Sequence, residues 1–248
     1  MIVKNVDAGW EIIFQPAHAL LAGTIAAHFQ EAYRGPFWFE TLTAITIHDD
    51  QKIEFRAGSS NSLTRAGAPQ DFTMKSMSAE ERFVEVRDRL RNAYQKHRWI
   101  GILESLHADF LYSEEEVSKP LRQLLDEEKG HRRSLLRQLK IGQKEAQAVY
   151  QLMRWCDRCS LILCQGALPA MERKLEITTL GKARFDIWQC KDKNVCIEPW
   201  PFDQTEFAVS IEVFKLSQPT FADDMQLSEA LMQCKPIQRT WNFQSSAS

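Results

Sequence analysis

Residues 149–164, VYQLMRWCDRCSLILC, decide the fold. Val149 and Met153 lead by steps of three and four to Asp157, Ser160, Leu161 and Cys164. That spacing predicts a long helix, over 144–165, whose apolar face carries one carboxylate. Aspartate is a poor helix former at such a position, because its side chain competes for the backbone. On a buried face it needs a cation, a metal or several hydrogen bonds. Its neighbour Arg158 points about 100° away around the helix, so it is not an obvious partner.

Working outward, further helices precede this one. Gln15-Pro16 opens a helix to about Tyr33, since Pro suits the first turn, where its missing N–H is not needed. A turn at Gly35-Pro36 leads to a helix from about Thr41 to Asp50. Ser78-x-x-Glu81 is a capping box, followed by the apolar face of Phe83, Val86, Leu90 and Tyr94. A helix around Trp99–Tyr112 comes next, then one opened by Pro120 and ended before Gly142. Residues 56–78, rich in Gly, Ser, Asn, Thr and Pro, read as a long surface loop.

The two ends of the chain read as β-structure. Strands are expected at Ile2–Asn5 and Glu11–Phe14, around an Asp7-Ala8-Gly9 turn. Others are expected at Ile187–Cys190, Val195–Trp200, Phe207–Lys215 and Ile237–Phe243, with a short helix at Met225–Cys234. The expectation is an α+β, mainly α, single domain over residues 1–248. It has a helical core over about 16–170 and a small β-rich portion, built from the N-terminal hairpin and the strands of about 175–243.

The chain has 248 residues, 44% hydrophobic and 26% charged, enough to bury a sizeable core. A net charge of −2 without a basic stripe argues against a nucleic-acid partner. The cluster Arg132, Arg133, Arg137 and Lys140 lies near Glu127 and Glu128 and reads as a solvated helix face. No secretory signal opens the chain, and no apolar run is long enough for a membrane helix. Cys156, Cys159, Cys164, Cys190, Cys196 and Cys234 make a poor disulfide framework. They read as reduced thiols in the cytoplasm. Cys156-x-x-Cys159 lies within a helical run and lacks a second pair, so its thiols read as packing groups rather than a zinc or redox motif.

Four more ionisable residues interrupt apolar faces. His18 shares a face with Leu21, Ile25 and Phe29. Leu42 and Ile45 lead to His48 and Asp49, and Ile100 and Leu103 lead to His107. Singly, each has a bland reading, as a hydrogen-bonded core histidine or a salt-bridged aspartate. Together with Asp157 they supply imidazole and carboxylate ligands, which suit Fe, Mn, Ni, Co or Zn.

That order, His18, then His48-Asp49, then Asp157, resembles the HD superfamily of metal-dependent phosphohydrolases. A second resemblance spans more of the chain. Met1-Ile2-Val3, Gln15-Pro16-x-His18-Ala19, His48-Asp49-Asp50, Ser105-Leu106-His107, Asp157-Arg158-x-Ser160-Leu161 and Pro199-Trp200-Pro201-Phe202 are similar to a family of unknown function. One departure is that Gln51-Lys52 stand where Gly-Trp is expected. The first resemblance implies an HD-like helical core and metal ligation by His18, His48, Asp49 and Asp157. With two ions it implies Asp49 as the bridging ligand and His107 as a further one, with His131, Glu127, Glu128 or water completing the set.

The chemistry that follows is hydrolysis of a phosphoester, in a nucleotide or small phosphorylated molecule, with one or two divalent transition-metal ions. Asp49 and Asp50 are the candidate catalytic carboxylates, Asp50 by orienting the attacking water. Arg158 or Lys52 is a candidate for the phosphate charge, although a surface salt bridge is the commoner role of such residues. The expected partners are a small phosphorylated substrate, with room for a homodimer, and neither nucleic acid nor membrane.

Three alternatives remain open. The same ligands suit a di-iron oxygenase. Glu104-x-x-His107 and Glu128-x-x-His131 resemble the paired units of di-iron carboxylate bundles, an arrangement that leaves His18, His48 and Asp157 unexplained. A non-catalytic metal- or ligand-binding regulatory module is the third, with Trp188, Trp200, Phe202, Phe207 and Phe214 as its surface, although such aromatics are more often core.

Overall fold

The computed structural model describes residues 1–50, 62–113, 115–171, 173–190 and 192–245. The chain begins with an antiparallel hairpin, β1 (Ile2–Val6) and β2 (Gly9–Ile13). Six α-helices follow among the described residues: α1 (Gln15–Ala27), α2 (Trp38–Ile47), α3 (Ala79–Lys96), α4 (Arg98–Tyr112), α5 (Lys119–Leu139) and α6 (Gln143–Cys164). Then come β3 (Leu175–Leu180), β4 (Ala183–Gln189), β5 (Val195–Glu198), β6 (Glu206–Leu216), α7 (Asp224–Gln233) and β7 (Ile237–Gln244).

All seven strands join one mixed sheet in the order β1-β2-β6-β7-β5-β4-β3. Every pairing is antiparallel except β5 with β7, which is parallel. This overturns the expected architecture. The β-structure is not a small portion set beside an HD-like helical core. It is a seven-stranded sheet whose inner face shares one core with the helices.

The core shows why. Along β6, Val209, Ile211 and Val213 point inward while Ala208, Ser210 and Glu212 face out, the two-residue period of a half-buried strand. Phe29 just after α1, Trp155 of α6, Phe185 of β4 and Phe202 meet edge to face, with centroids 5.0 Å apart for Phe29–Trp155 and 5.8 Å for Trp155–Phe185. Edge-to-face pairs of this kind contribute about 0.5–1.5 kcal/mol each beyond the area they bury. They tie the helices to the sheet. Alternation in β1 and β2 sends Ile2 and Ile13 into this core. Met1 and Ile12 go instead to a smaller cluster with Leu216, Phe221, Leu227 and Leu231 beneath α7.

Several element boundaries differ from expectation for local reasons. The first helix stops at Ala27, because the next residues pair with a distant loop. Gln30 N–H donates to Pro201, Asp203 N–H donates to His28, and Phe29 bridges Phe202. The strand at Val195 ends at Glu198, before the cis Glu198–Pro199 bond. Residues 62–78 are not slack. Asp71 accepts from Val3 N–H, Phe72 N–H donates to Met1, and Leu63 bridges Pro69, so this segment lies along the edge of β1. The capping box forms as expected, with Ser78 and Glu81 each accepting from the other's backbone N–H.

One cysteine expectation is corrected. Cys190 and Cys196 are joined by a disulfide across the turn between β4 and β5, with Cα atoms 5.9 Å apart. Antiparallel pairing brings the two positions within bridging distance, which their spacing in sequence does not reveal. Cys156, Cys159 and Cys164 are buried thiols of α6, as expected. No helix among the described residues is long and apolar enough to cross a membrane.

Candidate metal centre

Three helices converge on one buried polar point. His18 sits in the second turn of α1, a helix buried nearly all round because it packs against α2, α6 and β6. His48 caps the C-terminus of α2, and Asp49 follows it. The Nδ1–H of His48 donates to the carbonyl of Ile45 at 2.7 Å, satisfying one of the carbonyls a helix end leaves free. That bond fixes the tautomer and aims the Nε2 lone pair inward. A metal-ligating imidazole is held in the same way by a carbonyl behind it. Asp157 reaches the same point from the middle of α6.

The distances are specific. Asp157 Oδ1 lies 3.2 Å from His48 Nε2 and 3.4 Å from His18 Nε2. His18 Nε2 lies 3.4 Å from Asp49 Oδ2. His18, His48 and Asp49 each offer a ligand atom within 4.8 Å of the other two, so this cluster can hold a metal ion. Direct charge-assisted N–H···O bonds are shorter, about 2.7–2.9 Å. Around one ion with bonds of about 2.1 Å, neighbouring donors stand about 3.0–3.4 Å apart. The donor set and its spacing therefore fit an ion. His18 Nδ1 is buried with no hydrogen-bond partner.

The charges are strongly coupled. Burial alone would lower the His48 pKa, but Asp157 and Asp49 outweigh it and raise it to about 9. Burial alone would raise that of Asp157. The His48 charge and hydrogen bonds from both imidazoles instead hold this carboxyl well below the usual range. His107 goes the other way: burial, then the charges of His48 and Arg89, lower it to about 3. It is a neutral imidazole at any physiological pH.

The remaining expected residues divide. His107 is buried beside the cluster, its ring 5.5 Å from that of His48, and its Nδ1 stands 3.4 Å from the Tyr150 hydroxyl. Asp50 is exposed next to the cluster and lines a cleft with Ile47, Arg89, Asn92, Ala93, Lys96 and Glu104. His131 lies elsewhere, with its side chain 48% exposed, its ring tilted against that of Tyr94 and 3.6 Å from Glu128. Glu128 itself accepts from the Tyr94 hydroxyl. Glu104 faces Arg89 at 3.5 Å. The two Glu-x-x-His units thus do not form a common ligand group among the described residues. Arg158 donates to the carbonyl of Glu176. Gln51 and Lys52 lie outside the described residues.

Sequence reasoning missed two neighbours. The Gln15 amide is buried 3.5 Å from Asp49 Oδ2, and its place at the helix start and in the family resemblance gave it no role at the site. Arg89 is buried on α3, and here a signal existed: it falls on the same stripe as Val86, Leu90 and Ala93.

Comparison with known families gives one match. The model of the family described as "Protein of unknown function (DUF3891)" covers residues 1–218, and the chain belongs to that family. No curated protein and no solved structure matches it.

Proposed function

We propose that this chain is a hydrolase that uses one or two divalent transition-metal ions (Fe, Mn, Ni, Co or Zn) to cleave a phosphoester in a nucleotide or another small phosphorylated molecule. The observation that carries the reading is the sharing of Asp157 Oδ1 between the Nε2 atoms of His18 and His48, at 3.4 and 3.2 Å. Two imidazoles and two carboxylates, Asp49 and Asp157, form the ligand set, a mixture suited to the borderline metals. A bound ion of this kind lowers the pKa of a coordinated water toward neutrality and polarises a phosphoryl oxygen.

The chain's own residues do the rest. The Ile45 carbonyl holds the His48 ring, and the buried walls from α1, α4 and α6 keep solvent from the back of the cluster. Asp50 lines the cleft on the exposed side, and its carboxylate would orient a water there. His107, neutral and buried, serves as a further ligand or as a hydrogen-bonding group behind the first set.

The test is turnover by metal-loaded protein on a panel of nucleotides, phosphomonoesters and cyclic dinucleotides. Phosphate release that disappears on chelation and in Asp157→Ala supports the reading. A panel without turnover, while metal occupancy is confirmed, removes it.

A further inference from the structure

The cleft beside the cluster carries a second inference, which rests on the phosphoester reading and deepens it. On α3, Arg89, Asn92, Ala93 and Lys96 recur at steps of three and four and present one face. Facing them are Ile47 and Asp50, which flank His48-Asp49 in the chain, and Glu104 of α4. The space between is small and partly open to solvent, a cavity of about 20 Å³. On that measure one water needs about 10–15 Å³, so one phosphoryl oxygen enters between the walls while the rest of the group stands toward solvent.

The Arg89 side chain stands out among the buried cations. It is 4% exposed, yet its Nε and Nη2 have no hydrogen-bond partner. Glu104 Oε2 is 3.5 Å from Nε, too far for a charge-assisted bond, and neither Glu104 oxygen has a hydrogen bond. The other buried arginine among the described residues, Arg132, donates to the Ser105 carbonyl, the Ser105 hydroxyl and Asp109 at 3.1, 2.7 and 2.9 Å. A buried guanidinium with unmet donors is costly unless a ligand supplies acceptors. Its planar fork matches phosphate oxygens in pairs, and an ammonium such as Lys96 adds a point charge.

We propose that this cleft seats the phosphoryl group of the substrate, with Arg89 as its principal donor and Lys96 and Asn92 at its rim. It assigns the phosphate role to α3 rather than to Arg158, whose Nε–H donates to the backbone carbonyl of Glu176. Asp50 and Glu104 offset the two cations, so the site selects by directed hydrogen bonds more than by net charge. It takes a terminal phosphomonoester, one face of which meets the metal cluster past Asp50.

The test uses inorganic phosphate as the probe and metal-free protein as the receptor, so that it stands apart from metal binding. Calorimetry and the Arg89 side-chain Nε–H resonance report binding. Arg89→Met alone would leave Glu104 buried and unpaired, so the variant is Arg89→Met with Glu104→Met, beside the surface change Lys96→Gln. The expected result is saturable binding that shifts the Arg89 resonance, about threefold weaker in Lys96→Gln and at least about tenfold weaker in the double variant. Metal content should stay at the wild-type level in both. Equal phosphate affinity in all three proteins overturns the assignment, as does no binding by wild type. A protein that binds phosphate here but never takes up metal would retain this site and lose the metal reading alone.

Discussion

Asp157 Oδ1 and His48 Nε2 stand 3.2 Å apart although 109 residues separate them in the chain. The contact joins the end of α2 to the middle of α6 and sets the charge of both groups. Replacing Asp157 with Asn keeps the shape and removes the charge. In metal-free protein the His48 pKa, near 9 in wild type, should then fall by about one unit or more. An NMR titration of the imidazole Cε1–H reads this. An unchanged His48 titration would show that Asp157 does not govern it.

The same imidazole gives two opposite pH dependences. Its folded pKa is raised from 6.5 to about 9. In metal-free protein it therefore contributes stability that is complete below pH 6.5 and lost as pH rises through 9. A metal takes Nε2 only from the neutral ring, so metal affinity rises with pH, by up to about tenfold per unit, and levels off near pH 9. Melting temperature of the metal-free protein and chelator competition, each followed from pH 6 to about 9.5, should run in opposite directions. Parallel trends would contradict the assignment.

Gly23 sets how closely α1 and α2, the helices of His18 and His48, approach. A Cβ there would lie 2.1 Å from Thr46 Cγ2, and β-branched Thr46 has little freedom to move aside. Gly23→Ala should destabilise the fold by about 1–3 kcal/mol and weaken metal binding. Adding Thr46→Ser, which removes Cγ2, should restore most of both. A double variant no better than Gly23→Ala would place the cost elsewhere.

Glu11 on β2 pairs with Arg239 of β7 at 2.6 Å and Lys215 of β6 at 3.3 Å, spanning three neighbouring strands. Burial alone would raise its pKa, but these two cations lower it below 4.5. A lowered carboxyl contributes stability that is present above pH 4.5 and lost as pH falls through its folded value. Glu11→Gln should cost about 1–2 kcal/mol at neutral pH and progressively less in acid. Chemical denaturation at neutral and acid pH measures the difference. An equal cost at both pH values would contradict it.

How much of this was legible in the sequence depends on which contacts were local. Helices α3 to α6 were visible because their apolar periods and the Ser78–Glu81 box are local features. His18, His48, Asp49 and Asp157 stood out as ionisable residues on apolar faces, and the fold brings those four together. The sheet was misjudged because its size depends on pairings across the whole chain, such as β2 with β6. β3 was missed outright: Glu176, Thr178 and Thr179 interrupt its apolar residues, and a register shift breaks its alternation. The Cys190–Cys196 bridge likewise depends on strand pairing. Arg89 was on view, but a lone arginine on an amphipathic helix gives no sign that its donors lack partners.

The most direct test is metal content by elemental mass spectrometry on untagged protein, measured beside His48→Ala and Asp157→Ala with circular dichroism to confirm folding. About one or two equivalents of Fe, Mn, Ni, Co or Zn are expected in the wild type, lost in both variants while the fold persists. A wild type that holds no metal even after reconstitution, or variants that retain it, would rule out this metal centre and reduce the four residues to a hydrogen-bonded core.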